Sequence, residues 1–307
     1  MAPPLVPGWL AGHGGRPDGY CHRQMIDAVR YLVDDGIKWR EVPADFPPWP
    51  RVYAFFARRR DTGLVGELHD RLHQAVRRNE GRGAEPSGVV VDSQSVKADA
   101  TVAHTARGFD AGKKINGRKR HLLTDTLGLL LAVLVTPASV TDRDGARALP
   151  PQATGCFRRL ARVWADGGYT GQLTDWTSQH LGLVLDIVRR GDGIRGLQAL
   201  PRRWVVERSF AWLLRSRRLV RDSERRTDTS EAVIRRSMIT LMNHRLAAAR
   251  VSPTSWDTTV RACCHSGSRS WMIRESDVEG ATCDLPMVRV CAVMFMSRQL
   301  CRGSGTW

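Results

Sequence analysis

The chain has 307 residues, 42% of them hydrophobic and 25% charged, enough for one large domain or two modest ones and for a core that needs no disulfide staples. Its seven cysteines are odd in number and lack CxxC spacing, so reduced cytoplasmic thiols are expected; without a signal-type start or eighteen consecutive apolar residues, neither a signal peptide nor a membrane span is expected. With 47 Lys and Arg against 31 Asp and Glu the net charge is +16, a self-repulsion that suits a polyanionic partner, nucleic acid foremost, although an arginine-heavy composition alone would give the same sign.

Residues 20–78 carry helical periodicity in three stripes: Ile26, Val29, Leu32 and Val33; Val52, Phe55 and Phe56; Val65, Leu68, Leu72, Ala75 and Val76. Pro43, Pro47, Pro48 and Pro50 lie between the first two and forbid one continuous helix. Such a bundle is either a helix-turn-helix-like DNA reader or a packing module, and the residues leave both open. NEGRGAEPS at 79–87 reads as a linker.

The pattern then changes. GVVVDS at 88–93 is a buried-strand signature, and HLLTDTLGLLLAVLVTP from 121 predicts two strands joined at the turn Thr126–Gly128. Further strands are expected in RVWADGGYTG at 162–171, ending at Asp166, and in LGLVLDIVRR at 181–190. Helices are expected over 202–221, with Val206, Phe210, Leu213 and Leu214 at helical spacing, and over 230–249. Interleaved strands and helices argue for an α/β domain with a mixed sheet. Past residue 250 the periodicity fades. Cys263, Cys264, His265 and Cys283 lack zinc-site spacing, so a loosely ordered tail or a read-through extension is expected over 251–307.

Three acids stand out: Asp92 after the run GVVV, Asp166 at the end of RVWA, and Glu207 on the helix from 202. Carboxylates at neighbouring strand ends, joined by one from a helix across the sheet, are the hard oxygen donors that two divalent cations need for in-line phosphoryl displacement. Singly, each has a simpler reading: an Asp at a strand end is often a turn former, and Glu207 could pair with Arg203 one turn earlier. The surroundings favour the metal reading. Arg202, Arg203, Arg208, Arg215, Arg217, Arg218 and Arg221 crowd the helix, while Arg107, Lys113, Lys114, Arg118, Lys119 and Arg120 stand in RGFDAGKKINGRKRH, whose glycines suggest a mobile basic loop. Either group suits a phosphate backbone, or is a solvated charge run.

DSQSVK at 92–97, GFDAGKKINGRKRHLLTDTLGLLLAVLVTPASVTDRDGA at 108–146, VWADGGYTG at 163–171 and PRRWVVERSFAWLLRSRRLVRDSE at 201–224 resemble the DDE transposases of bacterial insertion sequences, in the insertion-sequence-five family of the IS4-like superfamily, and IKWREVPADFPPWPRVYAFF resembles their N-terminal region. The likeness runs over about residues 14–248. It implies a ribonuclease-H-like mixed sheet flanked by helices as catalytic domain (81–250), behind an N-terminal helical DNA-binding region (1–80). It also implies that Asp92, Asp166 and Glu207 are the catalytic, metal-binding acids for two Mg²⁺ (or Mn²⁺) ions. The implied reaction is endonucleolytic cleavage at terminal inverted repeats and strand transfer into target DNA. Arg107, Lys113, Lys114, Arg118, Lys119, Arg120, Arg202, Arg203, Arg208, Arg215 and Arg218 are the expected DNA-binding cations, Arg203 matching the signature arginine four residues before the glutamate. Two positions depart from that signature: Leu200 replaces a tyrosine, and Leu214, beside Arg215, replaces a basic residue. A homodimer in a synaptic complex and a cytoplasmic, nucleoid-associated protein follow as expectations. A structure-specific nuclease or a DNA-binding repressor from a degenerate element are the alternatives.

Overall fold

The computed structural model describes residues 19–188 and 203–249, all within one compact unit; of Arg203 only the backbone is described. The expectations for Leu200, Arg202, the side chain of Arg203, and the tail with Cys263, Cys264, His265 and Cys283 lie outside the described residues.

The chain opens with α1 (His22–Asp35), which buries Met25, Ala28, Val29, Leu32 and Val33 at three- and four-residue steps. It ends where Gly36 turns left-handed (φ 73°) and its N–H donates to Leu32 O at 3.0 Å. The prolines do what their geometry requires. Pro48 precedes the first turn of α2 (Trp49–Asp61) and Pro50 lies within it, where a missing N–H costs nothing. α3 (Leu64–Asn79) buries Val76 but also His69, His73 and Arg77, at four-residue steps on one face.

A six-stranded mixed sheet follows: β1 (Gly88–Lys97), β2 (Gly108–Asp110), β3 (Ile115–Asp125), β4 (Leu130–Pro137), β5 (Arg162–Ala165) and β6 (Val184–Ile187). β3 is antiparallel to β1 on one side and to β2 and β4 on the other, while β1, β5 and β6 run parallel. Each parallel connection crosses through a helix, α4 (Asp142–Cys156) before β5 and α5 (Gln172–Leu181) before β6. α6 (Arg203–Leu213) and α7 (Thr227–Ala249) complete the described chain. Four strands joined by antiparallel pairing and continued by two parallel ones, with helices packed on both faces, fit a ribonuclease-H-like fold.

Strand alternation assigns the two faces. Val89, Val91, Leu123, Val163 and Ala165 pack with Ala146, Leu149 and Ala153 of α4 and Leu173 of α5. Val90, Leu122, Val133, Val135 and Trp164 point the other way, into a core shared with α1, α2, α6 and α7. Val76 of α3 joins Leu129, Ile239 and Met242 in a third cluster. The N-terminal helices thus share their apolar faces with the sheet and with α7.

The basic stretch at 107–121 is corrected from a mobile loop to a hairpin: β2 and β3 enclose a short turn in which Lys114 takes a positive φ of 52°. β3 shows no period-two alternation because its cations are drawn inside the protein, Arg118 by several hydrogen bonds and Arg120 through Nη1, its Nε and Nη2 having no hydrogen-bond partner. Arg118 and Arg120 are each 0% exposed. Arg118 donates to the carbonyls of Ala106, Glu224 and Arg225 and to Asp222 Oδ1, the last at 3.1 Å, while Arg120 donates to Leu219 O at 2.7 Å.

Candidate active site

β1 and β5 pair in parallel with Val90 opposite Trp164, so two residues further on the chain reaches Asp92 on one strand and Asp166 at the end of the other. Alternation turns both toward the face that holds Val90, Trp164 and α6. A single cleft is lined by Val90, Asp92, Trp164, Asp166, Val188 and Val206. Each aspartate is oriented by the backbone just beyond it: Asp92 Oδ1 accepts from Ser93 N at 2.7 Å, and Asp166 Oδ1 from Gly168 N at 2.8 Å. The second bond is the N-cap of the single turn Gly167–Tyr169, which follows the strand end directly. An aspartate held at one oxygen keeps a fixed carboxylate plane.

Glu207 sits on the exposed side of α6, one residue after Val206, which is 1% exposed and forms part of the cleft wall. The structure therefore brings Asp92 and Asp166 together and sets the helix of Glu207 against them. Among the described residues no three His, Cys, Asp or Glu side chains are gathered at metal-holding distance.

Behind the two aspartates, on the α4 side, lies a polar group with no forewarning in the sequence. Ser93 Oγ donates to Asp142 Oδ1 at 2.6 Å, and Lys119 Nζ stands 2.9 Å from the same oxygen. Burial opposes ionisation of Asp142, but these two hydrogen bonds outweigh it and hold the carboxyl below its ordinary range. Asp110 is held low in the same way, burial being outweighed by Ser95 Oγ and the Lys113 N–H, with Lys119 at 3.7 Å. Tyr169, 1% exposed, closes the group. Burial, then the charges of Asp92, Asp142 and Asp166, push its pKa well above the ordinary value, so it stays a neutral donor.

The expected DNA-binding cations divide. Arg118 and Arg120 are buried as above, Lys119 is held by Asp142, Asp110 and Val140 O, and Arg218 donates to Glu224 Oε1 at 2.7 Å and to Ile37 O. These four fasten strand to loop and cannot reach a phosphate as they stand, which corrects that part of the expectation. Arg208 is wedged between two indoles, 4.6 Å from the Trp204 ring and 4.8 Å from that of Trp212, and donates to Leu127 O at 3.0 Å. Lys113, Lys114 and Arg215 are exposed and Arg107 half-exposed.

A mixed sheet with aspartates side by side on adjacent parallel strands fits the DDE class of nucleic-acid enzymes. The comparisons agree. Residues 83–242, more than half of the chain, match the family described as "Transposase DDE domain", and residues 1–69 match "Putative transposase of IS4/5 family". The chain belongs to the transposase DDE domain family. It is 34% identical over 130 residues to a Burkholderia cepacia protein described as "Putative transposase for insertion sequence element IS402", a match covering 39% of this chain and 59% of that protein. No helix among the described residues is long and apolar enough to cross a membrane.

Proposed function

We propose that the protein is a DNA transposase that cleaves insertion-sequence DNA at terminal inverted repeats and joins the freed end to target DNA. The observation that carries this reading is the placement of Asp92 within β1 and of Asp166 just past the end of the adjacent parallel β5, lining one cleft with the α6 residue that precedes Glu207. The donor set fits a hard divalent cation, since the carboxylate planes are fixed by backbone N–H groups. Asp92, Asp166 and Glu207 would hold two Mg²⁺ or Mn²⁺ ions. Bound there, such a pair supplies Lewis-acid stabilisation of the attacking and leaving oxygens of a phosphodiester.

The remaining work falls to the chain itself. Ser93 N and Gly168 N hold the two aspartates in place before DNA arrives. Arg107, Lys113, Lys114 and Arg215, with Arg202 and Arg203, would grip the phosphate backbone, each contact releasing counterions. Arg208, fixed between its tryptophans, would support them. The N-terminal region, residues 1–80, would read the terminal repeat, and residues 81–250 would perform the chemistry. Joining two ends calls for a homodimeric synaptic complex, and a basic DNA-bound protein belongs with the nucleoid.

Asp92→Asn tests the reading with labelled terminal-repeat DNA. The variant should bind DNA nearly as wild type does and lose cleavage by more than about 100-fold, the upper end of the loss from disturbing only an outer partner of a metal ligand. Unchanged cleavage would refute the assignment. Wild-type product that is cut but never joined would mark a nuclease, and DNA bound but uncut a repressor.

A further inference from the structure

The hydroxyl of Tyr169 is poorly satisfied by the fold. Its ring packs among Leu149, Ala165 and Leu173, yet the buried hydroxyl finds no hydrogen-bond partner. Tyrosine hydroxyls are rarely buried without one, because the lost water is not replaced and the folded state is destabilised. Ser93 is beside it: the serine proton goes to Asp142, and the contact between the two hydroxyls is too weak to offset the burial of the phenol. Asp92, Asp142 and Asp166 all act on the phenol electrostatically, which places it near these carboxylates. The local sequence explains how it arrives there: the single turn Gly167–Tyr169, capped by Asp166, brings the tyrosine back toward the sheet three residues after the carboxylate.

We propose that Tyr169 is a positioning residue for the acidic pair: when a divalent cation is held by Asp92 and Asp166, the hydroxyl donates to one of these carboxylates and fixes which oxygens face the ion. A phenol suits this place. It is neutral, so it adds no charge to repel a cation. As a donor only to oxygens turned away from the ion, it restrains the carboxylate without competing for the metal. Partners of this outer kind commonly change metal affinity 10- to 100-fold when removed. This inference rests on the reading of Asp92 and Asp166 as metal-binding acids.

The test uses the full chain without DNA, titrated with Mn²⁺ and followed by the electron paramagnetic resonance of the free ion, beside thermal unfolding with and without Mn²⁺. Tyr169→Phe removes the hydroxyl alone. It should melt at or above the wild-type temperature without metal, bind Mn²⁺ 10- to 100-fold more weakly, and gain correspondingly less thermal stability from the ion. Asp92→Asn should lose nearly all binding. Wild-type Mn²⁺ affinity in Tyr169→Phe, with Asp92→Asn defective, would overturn the role of Tyr169 and leave the carboxylate site standing. Equal binding by all three proteins would overturn the carboxylate site and this proposal with it. A lower melting point for Tyr169→Phe without metal would assign the hydroxyl to the fold and also overturn it.

Discussion

His121 illustrates what the β3 residues endure. It is 0% exposed, its Nε2 lies 3.0 Å from Thr136 Oγ1, and its Nδ1 has no partner. Burial drives its pKa down to about 4, against an upward pull from Asp142 and with Lys119 and Lys113 adding to the fall. In the unfolded chain the imidazole titrates near 6.5. Between those values the unfolded chain binds a proton that the folded one refuses, so the contribution is full above about pH 6.5 and is lost as the pH falls toward 4. From pH 6.5 to 5 the loss is about 2 kcal/mol. Urea unfolding of the wild type should show that loss, and His121→Gln should have a flatter profile. Equal slopes in the two proteins would show that the imidazole does not titrate this way.

Residues of the same type took opposite places here, which is where the sequence was least legible. Asp92 and Asp166 stand out from the runs GVVV and RVWA before them, each of which predicts a strand closed by an acid; Asp166 does follow the last residue of β5, whereas β1 runs on to Lys97 with Asp92 inside it. The cations of 113–120 offered no such cue. Lys113 and Lys114 fall in a turn and stay exposed, while Arg118 and Arg120 enter the core because carbonyls from three separate segments are aimed at them. Only the long-range fold reveals those acceptors. Asp142 was hidden for the same reason: Ser93, which donates to it, is 49 residues away.

At the scale of the element, α4 depends on one glycine. Thr141 caps the helix, its side chain accepting from Asp144 N at 3.2 Å, and the helix then presents Gly145 directly to the imidazole of His121. A Cβ at position 145 would collide with His121 Cε1, Nδ1 and Nε2. Helix propensity favours alanine over glycine by roughly 1 kcal/mol, but overpacking of this kind costs about 1–3 kcal/mol. Gly145→Ala is therefore expected to destabilise the protein by up to about 2 kcal/mol in urea unfolding. A variant more stable than wild type would mean that α4 and β3 can part without loss. The other elements were largely readable from pattern: the stripes of α1 and α2, the turn between β3 and β4, and the helices α6 and α7. β3 began six residues before the expected strand at 121 because cations broke its apparent period. In α3 the apolar stripe was visible, but His69, His73 and Arg77 are buried too, and sequence does not reveal that Asp125 awaits two of them.

That aspartate bears on the whole molecule. Asp125, 0% exposed, accepts from Arg77 Nη1, from His73 Nε2 at 3.2 Å, and from the N–H groups of Leu127 and Leu129. Burial opposes its charge, yet the hydrogen bonds from His73 and Arg77 outweigh burial and keep it ionised. The two family matches, 1–69 and 83–242, meet close to residue 80, and composition alone reads 79–87 as a linker. The packing ties the two parts together: cutting there would bare Val76's partners Leu129, Ile239 and Met242 and strand a buried carboxylate. Losing the partners of a buried charge costs about 3–5 kcal/mol, a large share of a typical 5–15 kcal/mol. Residues 81–250 alone should therefore lack a cooperative thermal transition by circular dichroism. A sharp melt near that of the full chain would show that the N-terminal helices are dispensable to the sheet.

The partnership of α3 with α7 also sets a timetable at the ribosome. The two helices share the Val76, Ile239 and Met242 cluster, yet α3 ends at Asn79 and α7 begins at Thr227. At roughly 5–20 residues per second, α3 emerges about seven to thirty seconds before its companion. Through that interval its apolar stripe is solvated or held by a chaperone. The core that α3 shares with α7 thus closes only after the whole sheet has been synthesised.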